Sequence, residues 1–199
     1  MKAKLGSVFI ISGLALLLAA LGLFLYNEKI QEEAADASEK LMPQIVEAIK
    51  IEQEKSEEPV VVAPDEKEMK TVPIEGFDYI GFVGIPSLGL ELPVMADWNE
   101  EKLKISPCRY SGSVYSEDLV IMAHNYKKHF GRLSQLANGA PITFTDMDGE
   151  TYRYEIVSME VLPEGAVEEM TAGDFDFTLF TCTYSGESRI AVRCDKISE

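Results

Sequence analysis

The feature that most constrains this chain is an uncharged stretch near its start, from Leu5 to Tyr26, rich in Leu, Ile, Ala and Phe. Its roughly 22 residues match a bilayer crossed as a helix rising about 1.5 Å per residue. A cleaved signal peptide has a shorter apolar region and a small-x-small site directly behind it. Here the run is long and Asn27-Glu28-Lys29 follows, so an uncleaved signal-anchor is expected. Lys2 and Lys4 precede the run and acid follows it, which puts the N-terminus in the cytoplasm and the remainder outside. The expected product is a single-pass protein of the cell membrane with an extracellular globular part.

The chain then divides into three: 1–26, the cytoplasmic tip and anchor; 27–73, an acidic extracellular stalk and linker; and 74–199, a folded domain. Asn27 to Met42 is rich in Glu, Ala and Lys and can continue as a polar helix. Pro43 is expected to interrupt it, and Gln44 to Lys55 offers a second amphipathic piece with Ile45, Val46, Ile49 and Ile51. Ser56 to Pro73 reads as linker, with a Pro59 to Pro64 run inside charged flanks.

Beyond Thr71 the pattern becomes that of short strands between turns. Tyr79 to Pro86 and Leu90 to Met95 flank the turn Ser87-Leu88-Gly89. Asp118 to Ala123 is apolar almost throughout, as a strand buried on both faces would be. Phe130 to Ala137 reads as a short helix. Pro141 to Thr145 and Thr151 to Val157 flank Asp146 to Gly149 as a hairpin. An excursion from Val161 to Asp176 precedes two last strands, Thr178 to Thr183 and Arg189 to Arg193. Seven or eight such strands point to an all-β fold, a closed or nearly closed barrel with short helices, and not to alternating βαβ units.

The formal charge of -16 removes nucleic acid from the partners, because phosphate binding needs a basic surface. The chain has 3 cysteines, so at least one stays outside any intramolecular disulfide, and none has the close spacing of a metal-ligand pair. Cys108 and Cys194 read as core thiols, with a disulfide between them the alternative for a protein outside the cell. Asp146 and Asp148 are better explained by a hairpin turn than by a calcium loop, and Glu164, Glu168 and Glu169 as solvated loop residues. No cofactor and no metal is expected, and calcium has no support in the sequence.

Cys182 ends one apolar strand, His124 closes another, and Arg189 opens the strand across a short turn from the cysteine. A thiol with pKa about 8.5 is mostly protonated at neutral pH and needs a partner to take its proton. A histidine fills that role and later protonates a leaving amine. Charge building on a carbonyl oxygen needs an arginine or backbone N–H groups. Arg193 lies on the same face of the last strand as Arg189, so pattern alone does not choose between them. His129 follows Lys127 and Lys128 and reads as part of a solvated patch.

Thr178-Leu179-Phe180-Thr181-Cys182 resembles the TLxTC signature of sortases, the membrane-anchored cysteine transpeptidases of Gram-positive bacteria. The likeness extends to Gly84 to Leu88 with Leu92-Pro93-Val94, to Val120 to His124, and to Arg189 to Arg193, and covers roughly Gly76 to the end. It implies an eight-stranded sortase barrel as the catalytic domain. It implies Cys182 as the nucleophile cleaving an LPxTG-like sorting signal, His124 as general acid/base and Arg189, by the R-x-x-V framing, as the oxyanion or substrate ligand. Asn125, Thr181 and Thr183 are candidate substrate contacts. The thioacyl enzyme would pass its acyl group to an amine, a cell-wall precursor or a pilin lysine, so anchoring secreted proteins to the wall. Ala123 departs from the glycine many sortases carry before the histidine, and the turn from Cys182 to Arg189 is short. No aromatic lid motif precedes the barrel and no apolar span closes the sequence, which argues against the lid-bearing, pilus-polymerising type. The alternatives are a thiol peptidase that hydrolyses the same signal and a non-catalytic, membrane-tethered peptide-binding module.

Overall fold

The structure, a computed structural model, describes residues 2–55 and 68–197. Residues 56–67, which hold most of the expected linker and its Pro59 to Pro64 run, lie outside the described residues.

Helix α1 runs without a break from Lys2 to Lys55 and passes straight through Pro43. The expected interruption does not occur. A proline inside a helix forgoes one backbone bond and costs about 3 kcal/mol. Here the ring faces solvent, while Leu41, Ile45 and Ile49 on the opposite face are buried with Tyr79, Met95, Leu103 and Met147 of the domain. Full burial of an aliphatic side chain stabilises by about 1.5–3 kcal/mol, so three of them outweigh the proline. The helix is long and apolar enough to cross a membrane, and among the described residues its most apolar window is not buried against the rest of the molecule.

The strands are β1 (Val72–Ile74), β2 (Phe77–Ile85), β3 (Leu90–Met95), β4 (Cys108–Ser111), β5 (Leu119–Met122), β6 (Pro141–Asp146), β7 (Thr151–Pro163), β8 (Phe177–Cys182) and β9 (Ser188–Lys196). They hydrogen-bond in the order β1-β2-β3-β4-β5-β8-β9-β7-β6, and β6 returns to β2. Eight strands thus close into the expected barrel, with β1 an appendage beside β2. Closure demands close approach: at Gly81, with φ of +142°, an added Cβ would sit 1.9 Å from the Thr145 carbonyl oxygen of β6. The interior is filled by Ile80, Val83, Leu119, Ile121, Phe144, Tyr154, Phe177, Leu179 and Val192.

Two strands escaped the sequence reading, β1 and β4, both short. The Phe130 to Ala137 segment forms only a 3-10 turn at Leu133–Gln135. The Val161 to Asp176 excursion is shorter than expected, because β7 continues to Pro163 and a small helix, α3 (Val167–Thr171), follows. Cys108 and Cys194 are both buried and free, so the disulfide alternative falls away. Burial pushes both thiols up to about 12.

His129 is not solvated. It is fully buried, with its Nε2 3.1 Å from the Ser38 hydroxyl of α1. The neighbouring lysines remain exposed, but the small residues Ala34 and Ala35 let α1 come close enough to cover the histidine between them.

Candidate active site

β5 and β8 run parallel in the barrel, with Met122 opposite Phe180. Side chains two residues apart on a strand share a face. His124, just past β5, and Cys182, at the end of β8, therefore leave the sheet side by side on its outer surface. β8 and β9 are antiparallel, and Cys182 is the direct partner of Arg189. Three elements far apart in sequence thus deliver a thiol, an imidazole and a guanidinium to one spot.

That spot is the wall of a cleft of about 240 Å³ that includes His124, Cys182 and Arg189. Its floor is the outer face of the sheet, where Val120, Phe180 and Ala191 pack with Met170 of α3. Its far wall is aromatic. Trp98 stacks on Tyr110 at 5.9 Å, and Tyr110 meets Phe180 edge-on at 5.2 Å. Glu100, in the short helix α2 (Glu100–Leu103), and Glu164 lie at the rim. Nothing in the sequence marks Trp98, Glu100, Tyr110 or Met170 as part of a site, because only the fold brings β4, α2, α3 and the segment before α2 together here.

The strand ends are tied together by side chains. The Thr181 hydroxyl is buried and donates to the Ala123 carbonyl at 2.8 Å, fixing the residue before His124 to the residue before Cys182. Asn125 Nδ2 donates to the Thr183 carbonyl at 3.3 Å. Thr183 closes the β8–β9 turn, its backbone N–H donating to Ser188 at 2.9 Å and its hydroxyl to the same carbonyl at 3.2 Å. The three residues expected to contact substrate are thus engaged in holding the loops.

Arg189 is aimed by the same turn. It donates to the carbonyls of Gly186 at 2.9 Å and Ser188 at 3.2 Å, and its other terminus lies 3.4 Å from Glu164. Arg193 is different in kind. It is 3 % exposed and donates to Glu160, Thr178 and the carbonyls of Glu169 and Met170, pinning α3 to the sheet. Geometry separates the two arginines that pattern left together: Arg189 lines the cleft with the thiol, and Arg193 does not.

His124 is half-buried against Tyr126, their rings 4.9 Å apart. Burial lowers its pKa from the ordinary histidine value, while Glu100 opposes and Lys104 reinforces that shift. Among the described residues no group of three or more His, Cys, Asp or Glu could hold a metal ion.

A family model described as the sortase domain matches residues 83–197. No curated protein matches the chain. Among solved structures, sortase C1 of Streptococcus suis is 26% identical, with a TM-score of 0.52 over 61% of this chain and 74% of that one. A sortase D5 transpeptidase of Clostridium perfringens is 19% identical, with a TM-score of 0.62 over 82% of this chain and 99% of that one. Sortase A of Corynebacterium diphtheriae is 18% identical, with a TM-score of 0.56 over 89% and 96%. With the barrel, the TLxTC strand end and a family match over more than half its length, the chain belongs to the sortase family.

Proposed function

We propose that this chain is a cysteine transpeptidase that cleaves an LPxTG-like sorting signal and transfers the acyl part to an amine. The observation that carries the reading is the in-register pairing of Cys182 with Arg189 beside the strand end that bears His124. In the first half-reaction the Cys182 sulfur attacks the threonine carbonyl of the signal and its proton passes to His124. The C–N bond breaks, the leaving amine takes the proton from His124, and a thioester remains on Cys182. In the second half, an incoming amine attacks the thioester and gives its proton to His124. The C–S bond breaks, and the Cys182 thiolate leaves and takes the proton back from His124, with the acyl group now in an amide to the incoming amine.

Arg189 is the donor to the carbonyl oxygen while it carries charge, and Gly186, Ser188 and Glu164 hold its guanidinium for that purpose. Each such donor is worth about 3–4 kcal/mol of transition-state stabilisation. The apolar floor of Met170 and Phe180, with the Trp98–Tyr110 wall, suits the leucine and proline of the signal. The acceptor is a cell-wall precursor or a pilin lysine, and the outcome is attachment of secreted proteins to the wall of a Gram-positive cell. α1 anchors the enzyme with its N-terminus in the cytoplasm and 74–199 as the extracellular catalytic domain.

The decisive experiment incubates the protein with LPxTG-like peptides and follows products by mass spectrometry with and without an added amine. Ligated product that depends on the amine and is lost in Cys182→Ala supports transpeptidation. Hydrolysis alone, unchanged by amine, identifies a thiol peptidase instead. Peptide binding without turnover in the native chain identifies a binding module.

A further inference from the structure

Residues 28–53 of α1 lie lengthwise along the barrel, and their contacts follow an order. Nearest the apolar run, Lys127 Nζ is 3.1 Å from Glu28 and its backbone N–H donates to Gln31 at 3.3 Å. Farther along, Ser38 meets His129 and donates to the Ile105 carbonyl at 3.0 Å. Gln44 then donates to Glu75 at 2.8 Å. At the far end Glu52 pairs with Lys70, which also pairs with Asp148 in the β6–β7 hairpin. The loop after His124 is thus the part of the barrel closest to the apolar run, and the β6–β7 hairpin the most distant.

The helix is continuous between the apolar run and all of these contacts, so no hinge separates them. At about 1.5 Å per residue, Glu28 and Gln31 stand only roughly 3–8 Å beyond Tyr26 along the axis. The headgroup layer of a bilayer is about 5–8 Å deep on each side. If α1 crosses a bilayer through its apolar run, the His124 loop stands in that layer.

The residues at this end suit it. Lys127 and Lys128 are exposed, and Lys128 makes no salt bridge among the described residues. Tyr184, in the β8–β9 turn, is completely exposed at 103%. The Asn125 bond to Thr183 joins that turn to the His124 loop. Lysine and tyrosine both favour the membrane interface, one for its charge and the other for a ring with a polar tip. Glu28 and Glu33 at the base of the helix are paired with Lys127 and Lys29, whereas exposed Glu32 and Glu187 bring negative charge to the same end, so the contact rests on Lys128, Tyr184 and the nearness imposed by α1 and not on the net charge of this end. Charges farther away than about 8 Å are largely screened at physiological ionic strength.

The geometry points to a lipid-docking surface: the barrel end that carries His124 and Cys182 rests in the phospholipid headgroup layer of the bilayer that α1 crosses, with Lys128 and Tyr184 against lipid phosphates. The cleft then opens within reach of molecules held in the same bilayer. The placement rests on α1 spanning the membrane and not on the reaction assigned to Cys182.

The test uses the full chain in nanodiscs containing phosphatidylglycerol, with Cys182→Ala so that chemistry plays no part. A single fluorophore is attached at exposed Ser185→Cys in the β8–β9 turn, which leaves Lys128 and Tyr184 in place, or, at the far end, at exposed Glu150→Cys. Cys108 and Cys194 are too buried to react. Lipids spin-labelled at the headgroup should quench the label at 185 severalfold more than the label at 150. Equal, weak quenching at both positions overturns the proposal. A flexible Gly-Ser insert after Asn27 then separates docking from tethering. Retained quenching at 185 supports a surface with its own affinity for lipid, and a fall to the level at 150 overturns it. Neither outcome bears on whether Cys182 transfers acyl groups.

Discussion

The Ser38 hydroxyl of α1 stands 3.1 Å from Nε2 of His129, and both side chains are buried between the helix and the loop that follows β5. Ser38 spends its only hydrogen on the Ile105 carbonyl, so the imidazole must donate through Nε2. Nδ1 is then bare, and it is buried without a partner. A proton on Nδ1 would leave a charge inside the molecule, and burial accordingly pushes the His129 pKa down to about 4.

Stability should therefore depend on pH through His129. The unfolded chain takes up the proton near 6.5, whereas the folded chain resists until about 4. Between those values the unfolded state holds more protons, so the folded state is fully favoured above the upper value and loses ground as pH falls. At pH 5 the loss is about 2 kcal/mol relative to pH 7.5. His124 is shifted in the same direction and adds to it. Urea midpoints of the wild type and His129→Gln at both pH values isolate the contribution of His129. A wild type whose midpoint moves no more than that of the variant would refute the buried neutral imidazole.

The two arginines of β9 should fail in different ways. Arg189→Lys keeps a cation but loses the planar fork that reaches Gly186, Ser188 and Glu164. We expect the rate of ligation to fall about 10²–10³-fold with the unfolding midpoint nearly unchanged. Arg193→Lys removes bonds to Thr178 and two carbonyls of α3. We expect a loss of about 1–3 kcal/mol of stability. Steady-state kinetics beside denaturant curves on both variants checks the split, and the reverse pattern would exchange the roles.

The barrel was readable from the sequence because most of its strands are long, apolar and bounded by turn residues. β1 and β4 were not, since runs as short as Val72–Ile74 and Cys108–Ser111 carry no period to read. Cys182 and His124 stood out as rare residues at apolar strand ends. Arg189 could be preferred over Arg193 only by family framing, because strand periodicity gives both the same face and only burial tells them apart. The larger surprises lie where tertiary packing overrides local preference. Pro43 does not break α1, since the buried Leu41, Ile45 and Ile49 hold the helix in place on both sides of it. His129 looks solvated beside two lysines, and nothing local announces that Ala34, Ala35 and Ser38 will cover it.

Barrel closure should be sensitive to a single methyl group. Gly81 sits at φ +142°, a conformation side chains avoid, with the Thr145 carbonyl oxygen 1.9 Å from where a Cβ would be. Both objections are to backbone, which has little room to yield. Gly81→Ala should separate β2 from β6 and cost at least about 3 kcal/mol, seen as a much lower urea midpoint or as loss of soluble protein. The control is Gly139→Ala, whose added Cβ meets nothing within 4 Å although its φ is +80°. That variant should lose only about 1 kcal/mol. Equal losses in the two would mean that backbone strain, and not the β2–β6 contact, limits Gly81.

If His124 is the base that takes the Cys182 proton, as proposed above, it must be neutral at the start of catalysis. Burial lowers its pKa, so the neutral form persists to lower pH than for a solvated histidine. The acidic limb of kcat/KM, which reports the free enzyme, should then have its midpoint below 6.5. Charge changes at the cleft should move that limb in opposite directions. Glu100 favours the imidazolium, so Glu100→Gln should shift the limb further down, while Lys104 disfavours it, so Lys104→Gln should shift the limb up. Both shifts should shrink as salt is raised, because the two side chains act through partly solvated space. A limb that stays in place in both variants would assign the titration to a group other than His124. A midpoint above 7 would contradict an imidazole whose pKa burial lowers, and would assign the limb to another group.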